Sequence, residues 1–143
     1  MTATTSRPIA EGLFTWPSEE PRLIGAACAD CGTTVFPRQP SCPKCGAQDM
    51  AERLLSPTGS LWTWTTQGFL PKAPYGGPET DETFQPFALG YVELADEVRV
   101  EARLTESDPA RLRIGMPMRL VVVPFRTDPD GTEVMTFAFA PAE

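Results

Sequence analysis

Cys28-Ala29-Asp30-Cys31-Gly32 and Cys42-Pro43-Lys44-Cys45-Gly46, with ten residues between Cys31 and Cys42, decide the fold of this chain. They hold every cysteine in its 143 residues. Two Cys-x-x-Cys turns offer four sulfurs, the ligand set that tetrahedral zinc prefers in closed structural sites. The glycine after each pair, Gly32 and Gly46, lets the backbone turn past the ion with positive φ. A segment of roughly 25 residues buries too little apolar surface to fold alone, and metal binding supplies the deficit. One zinc ion per chain is therefore expected on Cys28, Cys31, Cys42 and Cys45. Paired disulfides are an alternative, although nothing indicates export. An iron site of rubredoxin type is another, although the short interval between the pairs resembles zinc ribbons more than rubredoxins.

A zinc ion with four thiolate ligands has no open position, so it cannot activate water. The chain contains no histidine. That removes Ser-His-Asp and Cys-His nucleophile systems and the commonest general base near neutral pH. With the cysteines on metal, no thiol nucleophile remains. The acids at Glu19 and Glu20, Asp81 and Glu82, Asp96 and Glu97, and Asp128 and Asp130 sit in turn-like contexts and read as solvated loop charges. No catalytic residue is assigned. A hydrolase using Asp or Glu with Tyr75 or Lys72 is the residual enzymatic alternative.

The formal net charge is −7. Nucleic-acid binding normally needs a basic face, and no Lys/Arg cluster exists here, so a zinc-ribbon/OB nucleic-acid module is kept only as an alternative. No apolar run is long enough for a membrane span, and the N-terminus lacks an apolar signal core. A cytoplasmic location is expected, and reduced thiols there suit metal binding.

Outward from the knuckles, residues 1–22 read as an irregular lead-in with a small apolar anchor at 13–16, placed to pack on the body or on a partner. Residues 23–56 form the zinc ribbon. Residues 57–143 read as five short strands, at 60–67, 88–94, 98–104, 118–123 and 134–140, with a helical turn at 108–112 capped by Asp108. Trp62 and Trp64 are expected on one face of the first of these strands. In the third, Val98, Val100, Ala102 and Leu104 alternate with Arg99, Glu101 and Arg103, the mark of a half-exposed antiparallel strand. The class is mostly β, a zinc ribbon followed by a five-stranded OB-type Greek-key barrel.

Between the first and second barrel strands runs a long loop, 68–86, with four prolines and the apolar residues Phe69, Leu70, Tyr75 and Phe84. Loops this long are usually functional or disordered. One reading is a mobile surface loop. The favoured one is a loop that docks on a protein or lines a cofactor passage.

The knuckles, the barrel and the phrases Phe36-Pro37-Arg38, Ala88-Leu89-Gly90-Tyr91-Val92-Glu93-Leu94, Val98-Arg99-Val100-Glu101-Ala102-Arg103-Leu104 and Arg113-Ile114-Gly115-Met116-Pro117-Met118 together resemble one family. It is the acyl-CoA-associated zinc-ribbon/OB-fold family, domain of unknown function thirty-five. The resemblance implies a rubredoxin-like ribbon and a stand-alone, non-catalytic subunit of a thiolase-like enzyme, either a thiolase or a lipid-transfer-type aldolase of steroid side-chain breakdown. It also implies help in holding the acyl-CoA, shared with the partner. Family members usually carry a helix before the first knuckle, whereas the proline- and acid-rich residues 16–21 argue against a long helix here. CoA needs cations and an apolar slot. The residues best placed to supply them are Lys72, Phe69 and Tyr75 in the loop, and Arg99 and Arg103 on one strand face.

Overall fold

The computed structural model describes residues 5–95 and 97–142. Nine strands run in chain order: β1 (Ser6–Pro8), β2 (Ile24–Cys28), β3 (Thr34–Val35), β4 (Met50–Leu54), β5 (Thr58–Gln67), β6 (Phe87–Leu94), β7 (Val98–Leu104), β8 (Pro117–Thr127) and β9 (Glu133–Pro141). A single 3-10 turn, Pro109–Arg111, lies between β7 and β8, with the Asp108 carboxylate accepting from the Ala110 N–H. No helix of the described residues is long and apolar enough to cross a membrane.

The ribbon is a three-stranded sheet, β3-β2-β4, antiparallel throughout. The second sheet closes on itself. β5 pairs with β6 and β8, β6 with β7, β8 with β9, and β9 meets β7 in parallel through Leu104 and Phe139. This is the expected five-stranded OB-type barrel, and closure removes the exposed strand edges of an open sheet. Leu61, Val92, Leu94, Val100, Leu104, Met118 and Phe139 fill its interior. The alternation read over β7 holds, with Val100, Ala102 and Leu104 buried and Arg99 and Glu101 exposed.

The lead-in is not irregular throughout. β1 pairs in parallel with the start of β9, and Arg7 reaches Asp128 at 2.7 Å. Parallel pairing across the whole chain leaves no local signal in three residues. Phe14 of the apolar anchor packs on the body, where it is buried with Leu23 and Leu55 in the same cluster as the barrel interior. Phe14 and Phe36 both meet the Phe137 ring edge-on. Ribbon and barrel therefore share one core.

Trp62 and Trp64 do not share a face. The register slips between Leu61, opposite Val92, and Thr63, opposite Tyr91. This bulge inserts Trp62 as an extra residue, so parity inverts beyond it. Trp62 is exposed against Tyr91, while Trp64 packs on the core. A second slip, between Pro124 and Arg126 on β8, displaces Phe125 from the ladder. The Asp96-Glu97 turn lies partly outside the described residues, and Glu97 donates its N–H to the Leu94 carbonyl at 3.0 Å.

Gly90 shows how tightly the barrel is packed. A Cβ there would stand 2.9 Å from both Leu61 Cδ1 and the Thr63 carbonyl oxygen. The leucine end can yield, but the backbone oxygen cannot without opening the β5–β6 ladder. Gly90→Ala is expected to cost about 1–3 kcal/mol of stability, read as a lower urea midpoint with an unchanged slope.

Candidate metal centre and ligand cleft

β2 delivers Cys28 at its end, and the chain turns back at once. Cys28 donates its N–H to Thr33 O, and its carbonyl accepts from Gly32 N–H, both at 2.9 Å. The second knuckle repeats the pattern. Cys42 donates to Ala47 O at 2.7 Å and accepts from Gly46 N–H at 2.9 Å. Gly32 and Gly46 sit at φ +77° and +79°, the left-handed region in which other residues are strained. Ala29 N–H donates to Asp49 O at 2.9 Å and ties the two turns together.

This geometry brings the four sulfurs within 4.8 Å of one another. Cys28 and Cys45 stand 3.6 Å apart, as do Cys31 and Cys42. Four sulfurs about 2.3 Å from a central zinc are separated by roughly 3.8 Å, so the cluster fits a tetrahedral ion. Its electrostatics agree. The Thr33 hydroxyl beside Cys31 pulls that thiol down to about 6. Cys45 accepts the Ala47 N–H, yet crowding by Cys28 and Cys31 pushes it up to about 12. Four thiolates coexist at this spacing only with a cation among them. Zinc, when bound, supplies a crosslink between the two turns.

The long loop folds back onto β7 and β8. The Tyr75 phenol donates to Glu79 at 3.0 Å and accepts from Arg103 Nη2 at 3.1 Å. Its ring meets the displaced Phe125 edge-on at 5.7 Å, and Arg126 Nη1 donates to Gly76 O at 3.2 Å. Burial pushes the Tyr75 phenol up, against the pull of Arg103. The Arg103 guanidinium lies 3.6 Å from the Phe87 ring centroid, an arrangement in which the cation sits on the negative face of the ring. Beside it opens a cleft of about 340 Å³, lined by Gln85, Phe87, Arg103, Leu104, Thr105 and Ser107 among others.

Of the residues assigned to CoA, the structure brings Tyr75 and Arg103 together. Arg99 lies on the same face of β7 but stacks on Trp62 at 4.0 Å and pairs with Glu93 at 3.2 Å. Phe69 is 69 % exposed on the loop, and Lys72 is also exposed, with its carbonyl accepting from Tyr75 N–H. Sequence reasoning missed Phe87, Phe125 and Glu79, which hold Tyr75 and Arg103 in place. Phe87 carried a signal, being an outward position on β6 at the exit of the loop.

Two family models cover most of the chain. One described as ChsH2, rubredoxin-like zinc ribbon domain, matches residues 16–51. The other, ChsH2, C-terminal OB-fold domain, matches residues 52–123. A DUF35 domain-containing scaffold protein of Pyrococcus furiosus is 33% identical over 124 residues, 86% of this chain and 85% of the relative. One of the same description from Methanocaldococcus jannaschii is 29% identical, covering 85% of this chain and 82% of the relative. Among solved structures, a chain of the Ltp2-ChsH2(DUF35) aldolase superposes with a TM-score of 0.63 at 29% identity, over 85% of this chain and 86% of that one. This chain belongs to the ChsH2 (DUF35) family of rubredoxin-like zinc-ribbon and OB-fold proteins.

Proposed function

We propose that this protein is a non-catalytic scaffold subunit that binds a thiolase-like partner, a thiolase or a lipid-transfer-type aldolase, and helps hold its acyl-CoA substrate. The observation that carries this reading is the match over 85% of the chain to a subunit of an Ltp2-ChsH2(DUF35) aldolase. The scaffold description of the two archaeal relatives supports it. In this reading Cys28, Cys31, Cys42 and Cys45 hold one structural zinc ion, which crosslinks the two turns of the ribbon. A reducing cytoplasm keeps those thiols available to the metal.

Tyr75 and Arg103 are the residues we assign to the acyl-CoA, with Phe69 and Lys72 on the outer loop and Arg99 farther along β7. The net charge of −7 disfavours strong CoA binding by the lone chain, and a site shared with a more basic partner follows. The same charge speaks against nucleic acid as the ligand.

Co-expression with a thiolase-like enzyme from the same organism, followed by size exclusion, tests the proposal. A single co-eluting peak is expected, with partner activity that depends on the presence of this chain. Two separate peaks with unaltered partner activity would overturn it.

A further inference from the structure

Among the described residues, Arg103 and Arg119 are the barrel-strand arginines with no carboxylate within 4.0 Å, and of the two only Arg103 has its guanidinium on a ring and on a phenol. Arg7, Arg99, Arg111 and Arg126 each hold a carboxylate within 4.0 Å. Arg103 is half-buried and has no such partner among the described residues; Glu79 reaches it only through the Tyr75 phenol. Its guanidinium is nonetheless fixed, stacked on Phe87 and donating one N–H to Tyr75. An arginine held on one side by a ring and at one corner by a phenol keeps its remaining donors in a rigid fork.

Those donors adjoin the cleft, where three neutral side chains, Gln85, Thr105 and Ser107, also lie; the Glu79 carboxylate lines the same cleft and is tied to the Tyr75 phenol at 3.0 Å. None of the three side chains hydrogen-bonds to another described residue. One fixed cation beside three uncommitted polar side chains matches a group with several acceptor oxygens. A cleft of about 340 Å³ has more room than a single carboxylate fills. The apolar wall of Phe87 and Leu104 suits an organic substituent beside the anion.

We infer that this cleft is a phosphate-recognition site, with Arg103 as the charged receptor, Gln85, Thr105 and Ser107 as neutral donors, and Tyr75 and Phe87 as the residues that position the guanidinium. The inference rests on the scaffold reading only in that a CoA thioester is one carrier of such phosphates. The lone chain suffices to test it, with an affinity that its net charge of −7 keeps low.

The test is a titration of the zinc-loaded full chain followed by nitrogen-15 NMR at constant ionic strength, reading the Arg103 side-chain Nε–H and the Ser107 amide. Inorganic pyrophosphate and adenosine 3′,5′-bisphosphate are the phosphate probes, and succinate is the carboxylate probe. A saturable shift confined to the cleft is expected with a phosphate probe. Tighter saturation by the bisphosphate than by pyrophosphate identifies a nucleotide-borne phosphate; the reverse order identifies a free one.

Arg103→Lys keeps the charge but loses the fork, and is expected to weaken binding about tenfold. Tyr75→Phe keeps the ring but frees the guanidinium, and should weaken binding less, with the thermal midpoint nearly unchanged in both variants. The proposal is overturned if no probe saturates, if all exposed arginines shift alike, or if succinate saturates as readily as the phosphates. An Arg103→Lys chain that still co-elutes with its partner separates this site from the scaffold reading. A wild-type chain that binds phosphate but never co-elutes undermines the scaffold reading alone.

Discussion

Replacing Cys42 with serine is expected to strip the metal and unfold the ribbon. Cys42 is 3% exposed and lies inside the second knuckle, with its N–H and carbonyl both committed to the turn. A serine hydroxyl stays protonated at neutral pH and is a poor zinc ligand, so three sulfurs remain and the closed site is lost. Structural zinc contributes about 10–16 kcal/mol of apparent binding energy in isolated finger peptides, as large as the total stability of a typical domain. Away from the shared core at Leu23 and Leu55, the sheet β3-β2-β4 has little to sustain its knuckle end, because Ala51, Glu52, Arg53 and Leu54 of β4 are exposed. Metal content should fall from about one zinc per chain to near zero after dialysis, the expectation for a four-thiolate site that has lost a ligand. Hydrogen exchange should show loss of protection across β2 and β4. Since Phe14, Leu23 and Leu55 are buried with the barrel core, the barrel should survive at a lower thermal midpoint. Retained stoichiometric zinc and native exchange in the variant would refute the structural role of the site.

The metal centre was legible because its ligands are close in sequence and chemically distinctive. The barrel was legible where one face is dry and the other wet, as in β7, where the pattern of two is unbroken. The reading failed wherever structure depends on distant partners. A bulge at Trp62 is set by how β5 must bend to meet both β6 and β8, and nothing in Ser60-Leu61-Trp62-Thr63 announces the extra residue. β1 is three residues long and owes its existence to β9, more than a hundred positions away. The same holds for the cleft. Tyr75 and Arg103 were both singled out, but their contact spans 28 residues of sequence, and the aromatic supports Phe87 and Phe125 come from two further strands. Local periodicity shows which residues face outward; the closure of the barrel determines which of them meet.

That closure depends on a single ring. Phe139 is fully buried, sits opposite Leu120 on β8, and makes the one ladder pairing of β9 with β7 among the described residues. Its carbonyl accepts the Thr105 N–H at 2.9 Å, so its side chain and backbone both hold the seam. Removing the ring leaves a cavity bounded by Leu104 and other core side chains, at the one ladder pair that joins β7 to β9 among the described residues. Phe139→Ala is expected to cost about 3–5 kcal/mol, a third or more of the stability of an ordinary domain. Urea unfolding should show a much lower midpoint, and exchange should accelerate first at Thr105 and along the end of β7. Phe139→Leu keeps most of the volume and should recover most of the loss, which separates the cavity effect from any effect on the seam backbone. A midpoint within experimental error of wild type for the alanine variant would mean that the other pairs around the sheet hold the barrel shut and the β7–β9 junction does not.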